Sequence, residues 1–397
     1  MKALLPKIKF KNFDEKWNRK KLHSIAPLRG GFAFKSEKFQ NTGIPVVRIS
    51  NIKFDGTVGG EFEYYSKIIP DEKFVLRGRS ILLAMSGATT GKIAMLDSEE
   101  EYYQNQRVGY FQNTGEVDYE FLSSVLQTKA FTNQLNAVLV AGAQPNISSK
   151  EIDSFGFYLP DSTEEQSAIG SLFRTLDDLL SNYKENLANY QSLKATMLSK
   201  MFPKAGQTVP EIRLDGFEGE WENKRADEIF KSVSEKNRAL LPVLSASQID
   251  GMVLRDEIGI DIKYDEATLN NYKLVKPGQF VIHLRSFQGG FALSKLEGIT
   301  SPAYTIIDFI DKVNNLPDFW NSILTSRDFI KRLETVTYGI RDGKSISFKD
   351  FSSLKFVFPE FKEQQAIGSY FSNLDNLINS HQEKISQLET LKKKLLQ

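Results

Sequence analysis

Two stretches of the chain carry the same heptad rhythm. Over residues 163–203, nonpolar or aromatic side chains fall at Ile169, Leu172, Leu176, Leu179, Tyr183, Tyr190, Leu193 and Met197. Over residues 360–397 the same steps bring Ile367, Tyr370, Leu374, Leu377, His381, Leu388, Leu391 and Leu395. Alternating steps of three and four are those of a coiled-coil seam. Phe173, Leu180 and Leu187 widen the first stripe, and Phe371, Ile378 and Ile385 the second. Both seams are interrupted at one equivalent step, by Asn186 and by Lys384. Ser162 with Glu165 three positions later is a capping-box start for the first helix, and the second has no Ser/Thr cap. A helix of about 35 residues is about 50 Å long. Such a stripe needs a partner, and the other copy is the nearest one. The only linker, residues 201–210, is short, which favours antiparallel pairing with one domain at each end and a pseudo-twofold axis between them.

The helices are part of a duplication that spans the chain. Residues 165–199 align with 363–397 without a gap and share 14 of 35 identities. Upstream, Phe121, Ser124, Leu126, Phe131 and Leu135 recur as Phe319, Ser322, Leu324, Phe329 and Leu333. Pro6, Ile8, Phe13 and Trp17 recur as Pro210, Ile212, Phe217 and Trp221. The order is therefore domain (1–162), helix (163–203), domain (204–359), helix (360–397). The domains have diverged far more than the helices, so the helices share one task and the domains have separate ones.

Within the first domain, alternating apolar runs predict strands over 46–49, 80–85, 92–95, 108–112 and 155–159, and a helix over 119–138. The second domain repeats the order, with its helix at 317–337. The fold class is α+β: two pseudo-repeated mixed domains and two long helices pairing as an antiparallel coiled coil.

Composition narrows the chemistry. There are no cysteines, which excludes disulfides and thiolate metal sites. The start, MKALLPKIKF, has no apolar run of signal length, and no stretch approaches a membrane span. These features together point to the cytoplasm. The net charge is +1, but residues 1–35 hold ten Lys/Arg against two Asp/Glu, whereas 206–240 hold six against eight. A basic arm suits phosphates. SGATTGK (86–92) has three residues between its glycines where a phosphate loop needs four, and Ile93 where a hydroxyl should follow the lysine. His23, His283 and His381 have no metal-ligand spacing. Trp17 and Trp221 are expected as core anchors. No methyltransferase, nuclease or dinucleotide signature is present.

Two divergent domains, each followed by a helix reading EQ.AIG…F…LD.LI, resemble the specificity (S) subunit of type I restriction-modification systems over essentially the full length. VVRISN (46–51), GRSILLAMSGATTGK (78–92), QPNIS (144–148), VKPGQFVIHLRSFQGG (275–290) and SPAYTI (301–306) look like segments of that family's target recognition domains. Arg79 departs from the pattern, since such domains often carry an acid there. The resemblance implies a non-catalytic DNA reader. Each domain would read half of a bipartite site, and the helices would set the unread spacer. Two methyltransferase subunits bringing S-adenosylmethionine would dock on the helices, and restriction subunits would add ATP- and Mg-dependent translocation and cleavage. No cofactor is expected in this chain, and no metal.

Base edges are read by Arg, Lys, Asn, Gln, Ser and Thr. The loops offer Arg48, Asn51, Ser86, Thr89, Thr90, Lys92, Gln144 and Asn146 in the first domain. The second offers Ser247, Gln248, Arg285, Ser286, Gln288, Arg341 and Lys344. Two other classes stand beside this reading. One is a stand-alone site-specific methyltransferase or nuclease, which would act on DNA without partners. The other is a coiled-coil scaffold, which would ignore DNA sequence and salt.

Overall fold

The computed structural model describes residues 10–141, 146–247, 250–258, 266–283, 290–336 and 347–397. It divides into two compact units: residues 1–184 with 383–397, and residues 185–382.

In the first unit, Leu28–Gly30, Val108–Phe111, Ser80–Ala84 and Ile93–Leu96 form an antiparallel sheet in that order. Ser80–Ala84 is buried along its whole length, as befits a central strand packed on both faces. One face packs on the helices Tyr119–Val125 and Lys129–Ala141 through Ile81, Leu83, Phe111, Phe121 and Phe131. The other face carries Leu82, Ala84 and Val108. A second sheet runs Glu63–Tyr65, Ile44–Val47, Tyr102–Gln104, Val75–Leu76, with its middle pair parallel. Asn18–Lys21 pairs with Gly156–Leu159 just before the first long helix.

The second unit repeats this plan. Phe230–Val233, Thr305–Phe309, Phe280–Ile282 and Phe291–Leu293 make the antiparallel sheet, equivalent strand for equivalent strand. Its core is aromatic, with Trp320 fully buried among Phe230, Phe309, Phe356 and Phe358. Trp221 is buried beside Phe202 and Phe319, and Trp17 is half-buried edge-on to Phe121, so both act as anchors.

Each of the two expected domain helices is in fact a pair. Residues 119–138 divide into Tyr119–Val125 and Lys129–Ala141, and 317–337 into Pro317–Leu324 and Arg327–Val336. A hydroxyl at the break competes with the helical ladder. Thr128 Oγ1 donates to the Val125 carbonyl at 2.6 Å, and Ser326 Oγ accepts from Phe329 N–H at 3.2 Å.

The long helices are Thr163–Lys200 and Phe361–Leu395, about 57 and 52 Å at 1.5 Å per residue. Residues 163–184 and 383–395 belong to the first unit, and 185–200 and 361–382 to the second. In the first unit Asp177 meets Lys392 and Lys184 meets Glu389 at 2.8 Å. In the second, the Tyr190 and His381 rings lie 5.2 Å apart and Lys194 meets Asp375. In both, later positions on one helix meet earlier ones on the other, so the pairing is antiparallel.

The seam is rotated from the expected one. Leu172, Leu179, Leu193, Leu377 and Leu391 are 37–45% exposed. The inward positions are Phe173, Leu176, Leu180, Tyr183, Leu187, Tyr190, Lys194 and Met197, and correspondingly Phe371, Leu374, Ile378, His381, Ile385, Leu388, Lys392 and Leu395. Every second position of the expected seam (Leu176, Tyr183, Tyr190, Met197 and their counterparts) stays inward, the residues expected to widen the stripe take the place of the other half, and the interruption at Asn186 and Lys384 lies off it. Each helix places one partly buried lysine at an inward position, its ammonium group reaching an acid on the facing helix. Lys194–Asp375 and Lys392–Asp177 are the same pair made twice, 198 residues apart.

What fixes the rotation is the start of each helix. Ser162 Oγ accepts from Glu165 N–H at 3.1 Å, the cap as expected. Glu165 does not complete the box. Its carboxylate is buried and accepts from Trp17 Nε1 at 3.2 Å, and its second oxygen has no partner among the described residues. In the second unit Glu363 is equally buried and is held by Arg213 through two bonds of 2.8 and 2.7 Å. Lys9, at the corresponding place in the repeat, lies outside the described residues. The adjacent Gln166 accepts from Asp118 N–H and donates to the Pro160 carbonyl, both at 2.8 Å. Gln364 does the same with Leu316 N–H and the Pro359 carbonyl, both at 3.0 Å. Gly170 lies so close to the Tyr119–Val125 helix that a Cβ would sit 2.6 Å from Phe121 N. The shared EQ.AIG therefore clamps each helix to its own domain.

Two expectations follow. Leu180→Glu should lower the unfolding free energy by about 2–4 kcal/mol, while Leu179→Glu, on the outer face, should stay within about 0.5 kcal/mol; urea denaturation of the two variants decides between the registers. Arg213→Met should cost about 3 kcal/mol, because it strands the buried Glu363 carboxylate. Arg213→Met/Glu363→Gln should recover much of that loss in the same denaturation assay.

Candidate nucleic-acid interface

Four polar segments of the first unit converge at one end of its central sheet. The turn 86–91 joins Ser80–Ala84 to Ile93–Leu96 as a hairpin. Gly91 N–H donates to the Ala84 carbonyl at 2.8 Å, and Gly87 and Gly91 sit at φ +81° and +85°, where a side chain is strained. The loop-like glycines of SGATTGK thus serve a tight turn and not a phosphate cradle. Segment 48–58 locks onto this turn. Thr89 Oγ1 donates to the Ile49 carbonyl at 3.2 Å, and Met95 N–H to the Gly56 carbonyl at 2.9 Å. On the other side, Met85 N–H donates to the Arg107 carbonyl at 2.9 Å, and Ser86 bridges to Asn146.

The candidate side chains divide by what they already do. Asn51 is buried, 1% exposed, and is corrected from a base reader to a loop organiser. It accepts from Arg48 N–H at 3.0 Å and donates to the Glu61 and Gly59 carbonyls at 2.9 and 3.3 Å. Arg48 is paired with Glu63 at 2.7 Å and lies over the Phe39 ring. Thr90 Oγ1 donates to the Gly87 carbonyl at 2.6 Å, within the turn. Ser86 Oγ is buried with no hydrogen-bond partner among the described residues. Lys92 Nζ stands 4.6 Å from the centre of the Phe54 ring, and Asn146 is exposed. The structure brings Thr89, Thr90, Lys92 and Asn146 to one surface with Arg48 at its edge, while Ser86 lies in the same turn with its hydroxyl buried.

In the second unit Ser247 closes the Leu244–Ser247/Gly251–Leu254 hairpin, donating to Asp250 Oδ2 at 3.0 Å and accepting from Asp250 N–H at 3.2 Å. His283 is half-buried beside Tyr304, and burial lowers its pKa. Gln144, Gln248, Arg285, Ser286, Gln288, Arg341 and Lys344 lie outside the described residues. Arg79, the departure from the family pattern, pairs with Glu120 at 2.6 Å and with Asp97.

Lys53 and Arg107 are two basic residues that the sequence candidates did not include. Arg107 is exposed, in the Asn105–Arg107 turn between Tyr102–Gln104 and Val108–Phe111. Recognising 102–104 as a strand would have exposed QNQR as its turn. The segments 48–58, 86–92 and 105–107 together contain four Lys/Arg (Arg48, Lys53, Lys92, Arg107) and one acid, Asp55; with Arg48 paired to Glu63 just outside them, a net positive charge is left that suits phosphates.

A family model described as the type I restriction modification DNA specificity domain matches residues 14–190 and again 218–390. The chain belongs to this specificity family. Its two matches coincide with the two repeats, each taking in a domain and most of the following helix. A type I restriction enzyme MjaVIII specificity subunit from Methanocaldococcus jannaschii is 26% identical over 196 residues, covering 47% of this chain and 45% of that protein. The chain thus spans about half the length of the curated relative it matches. The fold is similar to that of a type I restriction-modification S subunit from M. genitalium, with a TM-score of 0.63 at 16% identity over 99% of this chain and 98% of that one. Among the described residues no helix is long and apolar enough to cross a membrane.

For this family member, Asn51→Ala should lower the unfolding free energy by about 1–3 kcal/mol, since it strands a backbone N–H and two carbonyls. The urea midpoint should fall in the isolated protein, before any ligand is added.

Proposed function

We propose that the chain is the sequence-reading subunit of a type I restriction-modification complex and that each domain reads one half of a split DNA site. The observation that carries this reading is the doubled specificity domain, each copy tied to a long helix of nearly the same sequence. Unlike readers in a repeated frame suit a non-palindromic site, as identical readers suit a palindrome. The basic loop surface of the first unit supports DNA as the ligand, with lysine and arginine on phosphates and hydroxyl or amide groups near base edges.

The helices act as the spacer and as the dock for two methyltransferase subunits. The leucines left outside the seam support the docking role. Leu172, Leu179 and Leu193 on one helix, and Leu377 and Leu391 on the other, are large apolar side chains at heptad spacing with substantial exposure. Because the helices repeat one another, one kind of partner fits both. The partners supply S-adenosylmethionine for adenine methylation, and restriction subunits supply ATP- and Mg-dependent cleavage. The chain itself contributes recognition and no catalytic group.

Exchanging residues 1–160 for the corresponding domain of another family member tests the division of labour. Mapping of modified adenines in cells carrying the assembled complex should show one half-site changed and the other retained. A change in both halves, or methylation by the chain without partners, would overturn the reading.

A further inference from the structure

Phe54 is a large apolar side chain on the outer surface of the loop cluster, 76% exposed. A lone exposed apolar residue is ordinary, but this one is built into place. Its loop is closed by the Ile52–Val58 bridge and by Lys53 N–H donating to the Thr57 carbonyl at 2.9 Å. The loop is then fastened to the neighbouring hairpin by Met95 N–H donating to the Gly56 carbonyl at 2.9 Å. The one acid in the cluster, Asp55, folds back on Thr57, accepting from its N–H at 3.0 Å and its Oγ1 at 2.7 Å. Those bonds hold the Asp55 carboxyl below its usual pKa, so it stays ionised but tied to the turn. Lys92 stands over the Phe54 ring at 4.6 Å. A rigid loop tip thus presents an aromatic ring with a cation already beside it.

We propose that Phe54 is an apolar DNA-contacting residue, entering a groove of the duplex held by the first domain while Lys92 lies on an adjacent phosphate. This rests on the DNA-reading function proposed above and adds to it an apolar reader that the polar candidates do not include. Phenylalanine is suited to the edge of a base pair, against a thymine methyl or the sugar wall. It carries no charge, so its contribution is independent of salt, whereas that of Lys92 is not. The alternative for such a ring, a protein partner, gives no reason for the flanking cation.

The test uses the complex of the full chain with its methyltransferase subunits and the duplex identified by mapping its modified adenines. Phe54→Ala should weaken binding to that duplex about tenfold at every salt concentration. The slope of log K against log salt should remain unchanged, and a duplex keeping only the second domain's half-site should bind as before. Phe54→Leu should restore most of the affinity. Lys92→Gln should weaken binding and reduce the salt slope by about one. Thermal melting of each variant checks folding, which an exposed position should leave intact. If the wild-type complex binds the site and Phe54→Ala binds within twofold of it, Phe54 is not a contact and the inference falls alone. If the wild-type complex shows no sequence preference, the proposed function falls with it.

Discussion

Each long helix begins inside the domain that precedes it, and that burial governs the rest of the helix. A free amphipathic helix has no defined rotation about its axis. Here the first two turns of each are held by a buried glutamate, by a glutamine bridging two backbone groups, and by a glycine where the domain comes within contact of the helix. Successive residues are turned by about 100°, so fixing Gln364, Gly368 and Phe371 also fixes which side chains face inward over the next turns of the same unit. The face that docks on the domain runs on, without a break, as the seam.

The seam then tolerates what looks in isolation like a defect. A lysine at an inward position is unfavourable unless its ammonium group finds an acid and its stem finds apolar surface. Lys194 and Lys392 are partly buried and each has its acid. A charged pair at such a position contributes more to register and orientation than to net stability. The same rotation leaves leucines at heptad spacing on the outside, which a solitary helix pair would have no reason to keep.

The loops of the first unit show a comparable division. Part of their polar content is consumed internally: Asn51 in holding backbone, Thr90 in the turn, Arg48 in an ion pair. This internal bonding ties the loops to one another, which would suit the proposed recognition role if little ordering is to be lost on binding. The residue types left at the surface include cation, hydroxyl, amide and aromatic, the mixture that the proposed groove recognition would use.

The sequence by itself determined the duplication, the two helices, the α+β class and the family resemblance, because periodicity and internal identity are local or pairwise properties of the chain. It also located five of the ten strands described in the first unit, among them the apolar runs at 80–84 and 108–111. It did not decide which of two adjacent heptad registers faces inward, since Leu172/Leu179 and Phe173/Leu180 satisfy the same spacing. Only the docking of Gln166 and Gly170 on the domain decides that. Nor did sequence reveal that Glu165 turns to Trp17 in place of its cap, or that Asn51 is interior. Those outcomes depend on partners 148 positions away in one case and on the closure of a loop in the other. Residue type states what a side chain can bond; the tertiary structure decides whether anything is left over to bind a ligand.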